Sequence, residues 1–172
     1  MSASQPGLPS PTGSIVSRTS LRVALLTTCA CIHMRRTSEL FIFADKYNVP
    51  QLRKLSVTGI WSLLDPNRRR KVPSYQDITL AFENLPEKAP LCKLFVDVYC
   101  RNFENEMDDE KECSAKGMVP MTFFDAVVWR HTHARKMMVK GEMEIGYRLK
   151  LADYHEHQSQ EEASKCYCKL AR

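Results

Sequence analysis

The stretch Glu39–Leu64, ELFIFADKYNVPQLRKLSVTGIWSLL, joins two helical patterns through a single Asn-Val-Pro junction, and that junction leaves the chain few ways to fold. Asn48 tolerates the left-handed conformation that closes a helix. Pro50 suits the first turn of the next helix, where its missing N–H would have no partner anyway. So short a connection turns the second helix back on the first as a helical hairpin. Thr37 and Ser38 offer hydroxyls that cap free N–H groups, and Glu39 favours the positive end of the first helix. Leu40, Phe43, Ala44 and Tyr47 recur along it at helical spacing. On the second helix Leu52, Leu55, Val57, Ile60, Leu63 and Leu64 follow, with Arg53 and Lys54 between them on the wet side. The expected hairpin core is Leu40, Phe43, Ala44, Tyr47, Leu52 and Leu55.

Three further helices follow from the same signals. Ser74 caps YQDITLAFENL, whose apolar face is Ile78, Leu80, Ala81 and Leu85, and Pro86 stops it. Pro90 opens APLCKLFVDVYCRNF, where Leu91, Leu94, Phe95, Val98 and Tyr99 give the clearest helical period in the chain. Cys92 and Cys100 pack beside that stripe as small apolar residues. Pro120 stands near the start of a last helix with Met121, Phe124, Val127 and Val128 as its inner side. The predicted helices are 38–47, 50–64, 75–85, 89–103 and 120–136. Strand-type alternation is scarce, so the expected class is all-α, an irregular helical bundle with disordered ends.

At 172 residues and 44% hydrophobic content, one soluble domain is expected. Its predicted organisation is a leader over 1–37, disordered or weakly helical, a helical domain over 38–136, and a charged tail over 137–172, partly helical or disordered. The leader is rich in Ser and Thr, carries Arg18, Arg22, Arg35 and Arg36, and has no acid before Glu39. That is the composition of a mitochondrial transit segment, but Pro6, Pro9 and Pro11 spoil an early amphipathic helix. Its apolar window, Val23–Ile32, is well short of the roughly 20 residues that span a bilayer. The seven cysteines are an odd set with no repeated CxxC pair, which reads as reduced thiols in an intracellular protein. Cytoplasm or nucleus is the expected compartment, with the mitochondrion as the alternative that the leader raises.

The hairpin has a counterpart. ELFIFADKYNVPQLRKL resembles the end of a BTB/POZ domain in fungal proteins, where an apolar helix with FADKY precedes a short turn, a Pro and an LR-containing helix. ITLAFENLPEKAPLCKLFVDVY is similar to that family's next segment, in which a YENTP type stretch precedes LRRLLVDLY. Together they span about 38–103. The resemblance implies the C-terminal helices of a BTB/POZ domain plus a helical extension. A full domain places a small sheet and several helices before the hairpin, so the expectation is a truncated or divergent domain whose front half is missing. In the family that front half supplies most of the dimer surface and much of the surface that recruits cullin-type ubiquitin ligases. What carries over is the packing at Leu40, Phe43, Ala44, Tyr47, Leu52 and Leu55. Without a sheet, the apolar stretch Leu21–Ile32 is the segment able to form a substitute helix over the faces carrying Leu40, Phe43 and Phe95.

No catalytic constellation is present: there is no phosphate-binding Gly-rich loop, no GxSxG and no HExxH, and a non-catalytic protein is expected. The one metal-like cluster is ADYHEHQSQEEASKCYC, with His155, His157, Cys166 and Cys168. His-x-His and Cys-x-Cys bring their ligands closer in sequence than structural zinc sites do. The tail is therefore read as a solvated charged segment, with no metal and no cofactor assigned. Two basic runs, 68–71 and 130–136, the second flanked by Trp129, are the features a nucleic-acid contact would use. Each more often forms a solvated loop or helix face. The leading function is a protein–protein interaction module, adaptor-like, binding a partner or itself through apolar helix faces, with no membrane contact. The alternative is a nucleic-acid-associated transcriptional regulator using the two basic runs.

Overall fold

The computed structural model describes residues 18–64, 71–104, 115–139, 149–157 and 159–170, with side chains described for all of these except 18–31, 138–139 and 168–170. Among the described residues the α-helices run in order α1 (Arg18–Lys46), α2 (Pro50–Leu64), α3 (Tyr75–Asn84), α4 (Pro90–Asn102), α5 (Met121–Val139) and α6 (Gln160–Leu170). A 3-10 turn at Leu151–Tyr154 precedes α6. Among the described residues there is no strand, so this is an all-α, irregular helical bundle. No described helix is long and apolar enough to cross a membrane. The basic connector 68–70 and the acidic segment 105–114 lie outside the described residues.

The punctuation in the sequence acts locally as its chemistry requires. Asn48 adopts φ 51, the left-handed conformation, and α2 begins on Pro50. Ser74 caps α3, its Oγ accepting from Asp77 N–H at 3.2 Å and donating to Asp77 Oδ2 at 2.7 Å. Pro90 is the first residue of α4. The first helix differs from expectation at its start, running back from Glu39 without a break to Arg18. Residues 21–32 therefore extend the same rod. A helix of 29 residues is about 43 Å long at 1.5 Å per residue, and it cannot fold back over its own Leu40 and Phe43. The substitute-cover arrangement is not formed.

Helix α4 is the centre of the bundle. Leu91, Cys92, Leu94, Phe95, Val96, Asp97, Val98, Tyr99 and Asn102 are all buried, so it is enclosed nearly all round rather than along one stripe. Phe123 of α5 sits edge-on to Tyr99 at 5.2 Å and to Phe82 of α3 at 5.5 Å, and Tyr99 stacks on Phe103 at 4.5 Å. The hydroxyls of Tyr75 and Tyr99 meet at 3.0 Å, so these two rings satisfy their polar ends on each other.

Two helices are rotated relative to the sequence reading. In α1 the buried residues are Met34, Ser38, Phe41 and Ala44, while Leu40, Phe43 and Tyr47 are exposed. In α2 Ser56, Val57, Ile60 and Leu64 are buried, Leu52 is half-buried, and Leu55 is 67% exposed. Of the expected hairpin core only Ala44 is fully enclosed. Gly59 of α2 faces Thr37 of α1, where a Cβ would stand 3.4 Å from Thr37 Cγ2, and Ser38 and Ser56, small and polar, are buried on these two helices. Helix α5 is shifted too. Met121 and Val128 are exposed, Phe124 and Val127 are half-buried, and Phe123 and Ala134 are the fully buried positions.

Candidate functional site

The rotation of α1 leaves an apolar stripe without a partner among the described residues. Leu40 is 43% exposed, Phe43 52% and Tyr47 59%, and Ile32 lies two turns earlier along the same rod. Positions 40, 43 and 47 fall on one face of a helix. Phe43 and Tyr47 hold each other with ring centroids 4.5 Å apart, and Lys46 Nζ lies 5.9 Å from the Tyr47 centroid. The stripe is a pre-arranged surface of large side chains.

A second feature lies on the far side of α4. The carboxylate of Asp97 is buried, and an ion in a low-dielectric interior must be paired and hydrogen-bonded. It accepts from Arg130 of α5 through Oδ1 and from the Tyr154 hydroxyl through Oδ2 at 2.8 Å. Burial, and next the Asp97 charge, push the Tyr154 phenol far above its ordinary range. This triad forms the floor of an open groove of about 1190 Å³ that has Val96, Ala126 and Leu149 as apolar wall. The exposed Trp129 forms its lip and stacks on His133 at 5.5 Å. Arg130 is thus drawn inward to Asp97, whereas His131, His133, Arg135 and Lys136 lie on the exposed side of α5. Of the connector 68–71 only Lys71 is described, and it is exposed.

The third feature is the turn between the 3-10 helix and α6, which docks on α2. Arg53 Nη2 pairs with Glu156 at 2.6 Å and Lys54 Nζ with Glu162 at 3.1 Å, and Trp61 meets Tyr154 at 5.8 Å. Arg53 and Lys54 are therefore the tail's anchor, and Leu55 holds the wet position expected of them. Within the turn, His155 Nε2 lies 3.0 Å from Thr58 Oγ1 and its Nδ1 lies 3.2 Å from Cys166 Sγ. The His157 ring stands 6.3 Å from the His155 ring, with its Nε2 3.2 Å from the Ala152 carbonyl. The structure thus brings His155, His157 and Cys166 into one cluster. The side chain of Cys168 lies outside the described residues. Among the described residues no group of three His, Cys, Asp or Glu side chains is arranged to hold a metal ion.

The chemistry open to these groups is set by burial. The Cys92 and Cys100 thiols are both pushed up to about 12, first by burial and next by neighbouring carboxylates, Glu87 and Asp97 respectively. Neither is a nucleophile at neutral pH. His155 is lowered from 6.5 to about 4, first by burial and then by the Lys54 charge. Its folded value lies below its unfolded one, so the unfolded chain takes up a proton that the folded chain refuses. The stability this neutral ring confers is complete above about pH 6.5 and is lost as pH falls towards 4. Because the ring is half-exposed, the loss is on the order of 1–2 kcal/mol after solvent screening. Melting curves between pH 7 and 4 check it, and His155→Gln is expected to flatten that part of the slope.

The Asp97–Arg130–Tyr154 triad and the docked turn were not read from the sequence. One signal was available, an acid at Asp97 inside the helix with the clearest apolar period, which a fold can bury only beside a cation and a donor. No protein-family model matches this sequence, and no curated protein and no solved structure matches it.

Proposed function

We propose that this chain is a non-catalytic protein-interaction module, a divergent BTB/POZ-like domain that docks a partner protein or a second copy through α1, in the cytoplasm or nucleus. The observation that carries this reading is the exposed stripe Leu40, Phe43 and Tyr47. Large contiguous apolar surface that the fold leaves uncovered marks an interaction face, and aromatic side chains are the anchors that interfaces favour. The BTB/POZ-like component rests on the quoted segments, which occupy the end of α1, α2, α3 and α4, the same run of helices that builds the bundle. An adaptor-like role follows from surface without chemistry: both described thiols of α4 are held protonated, and the Asp97 carboxylate is consumed by its partners.

Sedimentation of the purified chain, alone and with proteins crosslinked to it in cells, tests the reading. Wild type is expected to associate through α1, and Phe43→Asp with Tyr47→Asp is expected to abolish the association, with the melting temperature unchanged. Association that survives the double variant defeats this surface. Binding to DNA that weakens steeply with salt would instead favour a nucleic-acid role.

A further inference from the structure

We infer that the occupant of the α1 stripe is a second copy of this chain, its α1 laid antiparallel about a two-fold axis that passes between Phe41 and Ile42; the inference rests on the reading of α1 as a docking face. The stripe has a polar member besides its apolar ones. Arg36, Leu40, Phe43 and Tyr47 are all exposed and follow one another at intervals of four, three and four residues. That alternation is the seam along which two helices lie side by side. The two flanks of the seam differ. On one, Thr37, which faces Gly59 of α2, is half-buried and Ala44 is buried. On the other, Glu39 and Lys46 are exposed, standing one residue before Leu40 and Tyr47 respectively. A helix docked on the seam therefore meets a wet flank that carries one acid and one base.

The order of these groups along the helix selects the occupant and its direction. About this axis, residues equally far from it on either side stand level, so Leu40 of each chain lies against Phe43 of the other and Arg36 against Tyr47. Each contact occurs twice, because a two-fold interface uses the same patch on both chains. The pairs match in kind: Leu40 and Phe43 are apolar, and a guanidinium is attracted to the face of a tyrosine ring. On the wet flank, Glu39 of one chain comes within about 3 Å, measured along the axis, of Lys46 of the other. Side chains beside a seam form ion pairs between helices from such positions. Within its own chain Glu39 meets Arg35 at 3.3 Å and Lys46 Nζ lies 5.9 Å from the Tyr47 centroid. Both are exposed surface contacts of small worth, which a pairing between chains replaces. A parallel copy matches nothing, because Arg36 then stands level with Arg36 and Glu39 is a full heptad from Lys46. The chain turns away at Asn48 and Val49 into α2, so the second copy's α1 continues past that turn towards its own Arg18. Acid, base, apolar pair and aromatic ring are thus arranged to complement themselves, a symmetry that binding an unrelated helix does not require.

The test is sedimentation equilibrium of the full-length chain with charge-exchanged variants, over a concentration series. Wild type is expected to dimerise. Glu39→Lys sets a lysine against Lys46 twice in each dimer, and Lys46→Glu sets a glutamate against Glu39 twice, so each alone is expected to weaken dimerisation about tenfold. Mixing the two variants in equal amounts is expected to restore the wild-type affinity, because in the mixed dimer every lysine faces a glutamate. The chain carrying both exchanges is expected to dimerise by itself as wild type does. Both positions are exposed, so the circular dichroism and melting temperature of each variant are expected to match wild type. A wild-type chain that stays monomeric, single variants that dimerise as wild type does, or a mixture no stronger than its components would each overturn the antiparallel pairing. A monomeric chain that captures a different protein, with capture abolished by Phe43→Asp and Tyr47→Asp, would overturn the second copy alone and leave the docking face standing.

Discussion

Replacing Arg130 by alanine is expected to lower stability by about 3–5 kcal/mol, because it strands the Asp97 carboxylate in the interior without its cation. Among the described residues the Tyr154 hydroxyl, at 2.8 Å, is the donor that remains. In a chain of this size each kcal/mol moves the melting temperature by about 2–4 °C, so a drop on the order of 10 °C is the readout. The loss comes from the charge that remains rather than from the pair that is broken. Removing the whole network, with Asp97→Leu, Arg130→Met and Tyr154→Phe together, is therefore expected to recover most of it. A melting temperature unmoved by Arg130→Ala would place Asp97 in water and dissolve the floor of the groove.

The second large effect concerns the rotation of α1. Phe41→Ala removes a fully buried ring and is expected to cost about 3–5 kcal/mol, a transfer loss plus the cavity left behind. Leu55→Asp, on the exposed side of α2, is expected to change stability by no more than about 0.5 kcal/mol. Thermal melts of the two variants distinguish the observed packing from the opposite register, in which Leu55→Asp would unfold the hairpin and Phe41→Ala would be nearly silent.

That opposite register is the one the sequence favours, and the reason is physical. Helix α1 carries two stripes at helical spacing, Leu40, Phe43 and Tyr47 on one side and Met34, Ser38 and Phe41 on the other. The first is richer in large apolar side chains. Periodicity alone prefers it, whereas the fold buries the second, on the side where Thr37 of α1 faces Gly59 of α2. Which faces meet is a property of two helices at once, and no window on one helix contains it. Capping and turn signals were legible because they act over a few residues, as Asn48, Pro50, Ser74 and Pro90 show. Helix α4 was legible because its apolar period is so clear, although its all-round burial, and the need of Asp97 for Arg130, depended on neighbours it meets only in the fold. The cluster at His155 was half legible. The tail displayed the His and Cys side chains, but Thr58, which His155 meets at 3.0 Å, stands 97 residues earlier.

The docking of the tail on α2 also sets a timetable for the chain as it is made. Arg53 waits 103 residues for Glu156, and Lys54 waits 108 for Glu162. At about 5–20 residues per second on a ribosome, that interval is roughly 5–20 s. Through all of it α2, including Trp61, emerges and stays without its cover, long after its own helix has had time to form. A nascent chain paused before residue 150 therefore presents a face that the finished molecule closes. It is in that interval, rather than after release, that a chaperone would meet this face of α2 bare.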